Sequence, residues 1–108
     1  MNNYYFVIAS QDFLIREEPV EEILRERTNY YRKNNKEVDF WFIKNPEFLY
    51  VHNMFHLSSK LKKPSAAIVS LDHKFIDWLN LRIGYVITGS FQSNSIESYN
   101  TEIVIKDK

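Results

Sequence analysis

The sequence is notable first for what it lacks: it contains no cysteine, two glycines and three prolines. The absence of cysteine excludes disulfides, thiolate metal ligands and thiol nucleophiles together. The small number of glycines and prolines indicates a compact fold with few loops. Neither sign of charge dominates, because 14 lysines and arginines balance 14 aspartates and glutamates. The composition therefore gives no support to nucleic acid or an anionic membrane as the partner.

Long apolar runs are also lacking. None approaches the roughly 20 residues that cross a bilayer, so no membrane span is expected. The opening stretch MNNYYFVIASQ has no basic region followed by an apolar core, so no signal peptide is expected. The chain of 108 residues is the size of about one domain. It contains no glycine-rich phosphate loop and no G-x-S-x-G elbow, which disfavours conventional nucleotide and serine-hydrolase chemistry.

Apolar patterning predicts alternating strands and helices within a domain of residues 1–92, followed by a polar, mobile tail at residues 93–108. The first strand is apolar on both alternating faces, which is typical of a strand covered on both sides. Asp72 is a good N-cap for the last helix. The order strand, helix, strand, helix, strand, helix, strand would by itself favour parallel crossovers. The predicted strands are 3–10, 36–44, 64–71 and 84–91. The first predicted helix is 17–35, with Pro19 in its first turn. One or two short helices are predicted in 46–63, and a last helix at 73–83. Within the tail, residues 101–106 (TEIVIK) are either a late strand or an exposed end.

Three charged residues lie in otherwise apolar settings. Arg27 falls within the apolar stripe of the first long helix, Arg82 flanks the buried face of the last helix together with Trp78, and Asp39 interrupts the strand-like run KEVDFWFIK. A buried ionised group without a partner costs several kcal/mol. Two interpretations follow: an internal Arg to Asp bridge between helix and strand, or a surface that another molecule covers, where arginine and aromatic residues dominate the binding energy.

Other candidate sites have simpler explanations. His52 and His56 are four residues apart, as in some zinc sites, but no general-base glutamate or third ligand accompanies them, so surface histidines are favoured and no metal is predicted. Asp72 beside His73 is explained by helix capping rather than acid-base catalysis. The acidic residues Glu17, Glu18, Glu21 and Glu22 fit a helix start, with Glu21 pairing to Arg25 one turn on, and a partner-facing acidic patch is the alternative.

Several motifs together resemble one family. The stretches YYFVIASQDFL, EEPVEEILRER, EVDFW and AIVSLDHKFIDWLNLRIGYVITGSF are similar to the accessory factor of the aerobic magnesium-protoporphyrin IX monomethyl ester oxidative cyclase, a small protein of cyanobacteria and plastids. The similarity covers most of residues 3–91 and departs around residues 50–63 and after Gln92. It implies a single α+β domain with a four-stranded, largely antiparallel sheet flanked by helices, in contrast to the parallel arrangement that the alternation alone favours.

The resemblance also implies a role in chlorophyll biosynthesis without catalysis or a cofactor of its own. The protein would bind and support the diiron catalytic subunit that closes the fifth ring of chlorophyll, and other chlorophyll-biosynthesis enzymes near the thylakoid are further candidate partners. The sequence agrees with a non-catalytic role in one respect, because it contains no paired Glu-x-x-His motifs able to hold two irons. The alternative function is a small tetrapyrrole-binding carrier that uses an aromatic surface.

The expected partner-binding surface includes Asp39, Phe40, Arg82, Trp78 and Arg27. Residues 39 and 40 point to opposite faces of a regular strand, so both can contribute only at a strand end, a bulge or an edge. The high frequency of Lys, Asn and Ile is typical of plastid genomes. The expected location is therefore the chloroplast or plastid stroma, with thylakoid association as one variant and a cyanobacterial cytoplasm as the alternative.

Overall fold

The chain forms one antiparallel sheet of four strands with helices on both faces. The computed structural model describes residues 1–18, 20–54, 56–57 and 64–94. The strands are β1 (Asn2–Ser10), β2 (Phe40–Lys44), β3 (Ser65–Ser70) and β4 (Ile87–Ser93), and the helices are α1 (Val20–Lys33), α2 (Phe48–Val51) and α3 (His73–Ile83). The strand order is β2-β3-β1-β4. The α+β class and the antiparallel sheet are confirmed, and the parallel crossovers that the alternation alone favoured are wrong.

All three strand pairings are antiparallel, and β1 lies inside the sheet between β3 and β4. Tyr5 of β1 stands opposite Ser70 on one side and Ser90 on the other. β1 is covered on both faces, as its apolar sequence predicts: Val7 and Ala9 pack with α1 and α3, whereas Phe6 and Ile8 pack with α2. The two long helices therefore share one face of the sheet, and α2 lies on the other.

The last helix follows its prediction closely. It spans His73–Ile83, and Asp72 caps it by accepting a hydrogen bond from Lys74 N. Gly84 ends it at φ 70°, a left-handed conformation that glycine adopts without a steric penalty. Tyr85 is also left-handed, at φ 53°, so β4 begins at Ile87 rather than at Gly84. The four buried residues of α3 are Phe75, Ile76, Leu79 and Ile83.

Other boundaries differ from the sequence prediction. The second strand begins at Phe40, so Asp39 lies immediately before it rather than within it. The connector after β1 contains a short π-helical segment, Phe13–Glu17, which buries Leu14 and which the sequence pattern did not indicate. In the described ranges, no helix has the length and apolar composition to cross a bilayer. The positions predicted for Pro19, for residues 58–63 and for the late strand at 101–106 lie outside the described residues.

Candidate functional site

Arg27 joins α1 to the start of α3. Its Nη2 donates hydrogen bonds to Asp72 Oδ2 at 3.0 Å and to Tyr31 Oη at 2.9 Å. Tyr31 lies one helical turn after Arg27, the spacing at which two side chains share a face. Asp72 therefore both caps α3 and neutralises Arg27. An internal Arg to Asp bridge does form, but its carboxylate is Asp72 and not the strand residue Asp39.

Asp39 enters the same network through a tyrosine. The hydroxyl of Tyr31 donates to Asp39 Oδ1 at 2.9 Å, while it accepts from Arg27. Burial of Tyr31 raises the pKa of its hydroxyl above the ordinary value of 10.0, and the hydrogen bond to Asp39 raises the pKa further, partly opposed by the positive charge of Arg27. The hydroxyl therefore stays protonated at neutral pH, where it accepts a hydrogen bond from Arg27 and donates one to Asp39.

The guanidinium of Arg27 is also enclosed by aromatic rings. Its carbon lies 3.7 Å from the centroid of Phe75, 5.0 Å from that of Tyr31 and 5.5 Å from that of Phe40. Arg27 Nε is buried, and within the described part of the chain it has no hydrogen-bond partner. The attraction between the cation and the ring faces offsets some of the cost of that unpaired group, by about 2 kcal/mol when such a contact is shielded from water.

The backbone of Asp39 is fixed by the end of β3. Leu71 N and Ser70 Oγ each donate to Asp39 O at 3.0 Å, and Ser70 Oγ also accepts from Asp72 N at 2.9 Å. Phe40 stands opposite Ser70 in the ladder between β2 and β3. The serine thus holds the start of β2 and the start of α3 together, which places Asp39 and Asp72 on either side of the Arg27 and Tyr31 side chains.

An open groove lies above this network, between α1 and α3. Its volume is about 500 Å³, which is within the usual range for small-ligand sites, although a groove of this kind also suits a peptide segment. Tyr30 and Trp78 stand at its walls and remain largely exposed. The groove is lined by Ile23, Glu26, Arg27, Tyr30, Asp72, Lys74, Phe75 and Trp78.

The surface continues along the outer side of α3. Within α3, Trp78 is 48% exposed and Leu81 85%, and Tyr85, two residues beyond the end of the helix, is 95% exposed. Arg82 lies beside them, and its Nη1 approaches Glu18 Oε1 only to 3.9 Å. Exposed apolar side chains close together around an arginine are typical of binding surfaces rather than of solvent-facing helices.

The structure brings four of the five predicted partner-binding residues together. Arg27, Asp39, Phe40 and Trp78 surround the start of α3 and its groove, but Phe40 is buried beneath Arg27. Arg82 lies ten residues after Asp72, about 15 Å along the helix axis. Asp39 and Arg82 are therefore at opposite ends of α3 and do not form one contact cluster.

Two participants escaped the sequence interpretation. The apolar stripe of α1 explains Tyr31 without any polar role, but its spacing of four from Arg27 is a signal that the two side chains meet. Leu81 was not singled out, because an isolated leucine on a helix surface is common. The predicted pair between Glu21 and Arg25 is confirmed, with Arg25 Nη2 at 3.3 Å from Glu21 Oε2.

The two histidines do not share a regular helix. Helix α2 ends at Val51, and His52 follows as its C-terminal cap, with its ring centroid 4.8 Å from that of Phe91. His56 lies beyond this end. No cluster of three or more potential metal-ligating side chains occurs among the residues that the structure describes.

Comparison with known proteins identifies a family to which this chain is similar. The family described as Ycf54 protein matches residues 2–93. A ycf54 protein of Pyropia yezoensis is 48% identical over 107 residues, covering 96% of each chain. A Ycf54-like protein of Synechocystis is 44% identical over 95 residues, covering 88% of this chain and 71% of that one. The chloroplastic protein YCF54 of Arabidopsis thaliana is 32% identical over 95 residues, covering 87% of this chain and 44% of that one.

Solved structures agree with the fold. The All0216 protein of Nostoc superposes with a TM-score of 0.82 at 44% identity, covering 91% of this chain and 93% of that one. The Ycf54 protein of Synechocystis superposes with a TM-score of 0.81 at 42% identity, covering 92% and 94%. These relatives come from cyanobacteria and from an organism whose protein carries a chloroplast designation.

Proposed function

The chain belongs to the Ycf54 family, and we propose that it is a non-catalytic accessory factor of the aerobic magnesium-protoporphyrin IX monomethyl ester oxidative cyclase. In this role it binds the diiron catalytic subunit and supports its assembly or stability. The resemblance noted from the sequence motifs supports the cyclase role, and the family match supports the resemblance. The proposed location is a plastid stroma, in line with the chloroplast designation of the Arabidopsis relative, or the cytoplasm of a cyanobacterium.

The observation that carries the proposal is the exposed surface formed by α3 and its groove. A closed network of side chains fixes the floor of the groove, while Trp78 at its wall is half-exposed and Leu81, farther along α3, is exposed. A rigid support with exposed aromatic and apolar side chains and a loosely paired arginine meets the requirements of a protein-binding surface, because little ordering entropy is lost on docking. The proposed contact residues are Trp78 and Arg82, with Arg27 and Asp39 holding the surface in shape.

The pathway experiment combines loss of the protein with assay of the purified chain. The purified protein alone should not convert magnesium-protoporphyrin monomethyl ester to protochlorophyllide, with or without iron and reductant. Its loss from the cell should make the ester accumulate and lower the amount of catalytic subunit, since a partner without its covering surface exposes apolar area and is degraded more readily. Turnover by the isolated chain, or normal pigment and cyclase levels in the deletion strain, would refute the proposal.

A direct binding experiment completes the test. Affinity capture of the tagged protein from its native cell should recover the cyclase catalytic subunit, and the Trp78→Ala variant should recover much less of it. A matched control is Val51→Ala, which changes an exposed apolar residue on the opposite face of the sheet. Equal recovery by all three proteins would remove the α3 surface from the proposal.

A tetrapyrrole carrier is the second candidate, and the groove is the observation that favours it. Its volume of about 500 Å³ and its aromatic walls are properties of many small-molecule sites. Mixing the purified protein with magnesium-protoporphyrin monomethyl ester separates the two functions. A carrier shifts the absorption spectrum of the pigment in proportion to protein added, and the Trp78→Ala variant reduces that shift, whereas an accessory factor that binds only protein leaves the spectrum unchanged.

A further inference from the structure

We propose that residues 101–106 (TEIVIK) add a fifth strand to the sheet, in an antiparallel pairing with β4. The surface that takes this strand is the outer edge of β4, on the side away from β1. This inference does not depend on the proposed function, because it concerns the purified chain alone.

The position of β4 in the sheet is the first argument. In the order β2-β3-β1-β4 it is an edge strand, and its one neighbouring strand in the described sheet is β1. Successive residues of an antiparallel strand direct their N–H and C=O groups to opposite sides. Every second residue of β4 therefore directs these groups away from β1, where another strand can pair with them.

The composition of β4 is the second argument. Edge strands usually discourage pairing by being short or by carrying charged residues or proline. The strand at the opposite edge, β2, has five residues and ends in Lys44. In contrast, β4 has seven residues, ITGSFQS, with neither a charge nor a proline. An edge of this length and composition is suited to pairing with a further strand.

The two faces of β4 differ in polarity. Ile87 and Phe91 project to the side of the sheet that packs with α2. Thr88 and Ser90 project to the other side, where they line a cavity beside α3. Residues directly opposite one another in a ladder project to the same face, so an added strand must be apolar on the first side and polar on the second.

The segment 101–106 has this alternation. Ile103 and Ile105 fall on one face of an extended strand, and Glu102 and Lys106 fall on the other. Pairing the isoleucines with the apolar face of β4 puts both charged residues on its polar face. A slip of one residue would reverse every side chain and place both charges on the apolar face, so the alternation selects the first arrangement.

One register keeps all six residues of the segment opposite β4. In this register Ile103 stands opposite Phe91, and Lys106 stands opposite Thr88. A shift of two residues in either direction moves one end of the segment past the end of β4, which spans Ile87–Ser93. Thr88 lines the same cavity as Asp77, so this register brings the lysine ammonium toward a carboxylate of α3.

The short connection favours this segment over a strand from another molecule. Only residues 94–100, NSIESYN, separate β4 from it, and their asparagines and serines are common in turns. A short flexible connection keeps the segment at an effective concentration in the millimolar range, which a separate chain rarely reaches. The segment follows residues 2–93, the part that matches the Ycf54 family, so the fifth strand is an addition to the shared domain.

Disulfide trapping in the full chain tests the pairing, and the absence of native cysteine means that only the introduced pair can react. Opposite residues of an antiparallel pair have Cβ atoms about 5 Å apart, close to the separation in a disulfide. Ser90→Cys combined with Val104→Cys should form a disulfide within one chain in a glutathione buffer. The matched control combines Ser90→Cys with Ile103→Cys, whose side chain projects to the opposite face, and its equilibrium constant should be lower by about tenfold or more.

Two outcomes of the trapping experiment would overturn the proposal. Equal formation of the two disulfides would do so, because a segment that is not paired does not distinguish the faces of β4. A disulfide that forms only between two chains, seen as a band of twice 13.0 kDa on a non-reducing gel, would assign the edge to a second copy instead.

Hydrogen exchange measured by NMR tests the same pairing without cysteines. The β4 amides directed away from β1 should exchange slowly in the wild type and about tenfold faster or more in Ile103→Pro combined with Val104→Pro, since one of two successive N–H groups faces β4. Glu97→Pro combined with Ser98→Pro, in the connection, is the control and should retain the slow exchange. Slow exchange of the amides that pair with β1 should persist in both variants and show an intact sheet. Fast exchange of the outward amides in the wild type would overturn the proposal.

Discussion

The two arginines that contact or flank α3 have opposite surroundings. Arg27 reaches the start of the helix from α1, bonds to Asp72 and Tyr31 and lies against the face of Phe75, with its side chain 22% exposed. Arg82 lies near the end of the helix, is 55% exposed and has one distant acidic neighbour. The sequence treats both in the same way, as charges interrupting apolar surface.

The different surroundings of Arg27 and Arg82 distinguish an arginine that stabilises the fold from one that is available to bind a partner. Arg27 bonds to Asp72 and Tyr31 and packs against Phe75 within its own chain, so its removal should harm the fold and affect binding only through the shape of the groove. Arg82 gives little to the fold and stands among exposed apolar side chains, so its removal should harm binding alone. Four substitutions test this distinction, ordered here by the size of the expected effect.

Arg27→Ala should lower the free energy of unfolding by about 3 kcal/mol, because it removes the cation from the aromatic rings and leaves Asp72 and Tyr31 without their shared donor. Such a loss lowers the Tm of a domain of this size by roughly 10 °C or more. Thermal and urea unfolding measure it. Arg27→Lys is the matched control and should lose less, since it keeps the charge but not the flat guanidinium. A wild-type Tm for Arg27→Ala would contradict the structural role.

Arg82→Ala should weaken binding of the cyclase catalytic subunit by about 2 kcal/mol, as expected for an arginine at the centre of a binding surface. Its Tm should stay near the wild-type value, because its contact with Glu18 is exposed and long. Titration calorimetry with the purified subunit and thermal unfolding give the two numbers. A large fall in Tm with unchanged binding would reverse the contrast between the arginines.

Tyr31→Phe should lower the free energy of unfolding by about 1 kcal/mol at neutral pH, because the hydroxyl that joins Arg27 to Asp39 is lost. The raised pKa of Tyr31 means that the folded state favours the protonated hydroxyl. Its stabilising effect is therefore complete below the ordinary value of 10.0 and is lost as pH rises through the higher pKa of the folded state.

The stability difference between wild type and Tyr31→Phe should consequently shrink at strongly alkaline pH. Urea unfolding of both proteins across this range measures it, and absorbance of the tyrosinate follows the ionisation. Tyr30→Phe is the control, because its exposed side chain lies outside the network. A difference that does not change with pH would exclude ionisation of Tyr31 as its cause.

Asp39→Asn should have the smallest effect on stability, about 0.5 kcal/mol, because an amide oxygen can still accept from Tyr31 and the backbone of residue 39 keeps its bonds to Ser70 and Leu71. Binding of the cyclase subunit should fall less than in Arg82→Ala. Normal binding by both variants would remove the predicted charged residues from the contact surface and direct attention to the acidic start of α1.

Much of the architecture could be predicted because local signals were strong. The run of apolar residues in β1 predicted a strand covered on both faces, and Asp72 marked the start of α3. The π-helical segment at Phe13–Glu17 was missed because no periodic signal distinguishes one such turn from a loop. The start of β2 was placed too early, since alternation continues through residues that do not pair.

The site was only partly predictable for a different reason. The sequence alone determined that Arg27, Asp39 and Arg82 are charges in apolar settings, and the motifs around them pointed to the family. The tertiary structure decided how those charges are matched. The antiparallel sheet brings the end of β3 beside the start of β2, so Asp39 meets Tyr31 and Arg27 meets Asp72, 45 residues away. Periodicity reports which face a side chain occupies on its own element, whereas the partner of a buried charge depends on which elements the sheet places side by side.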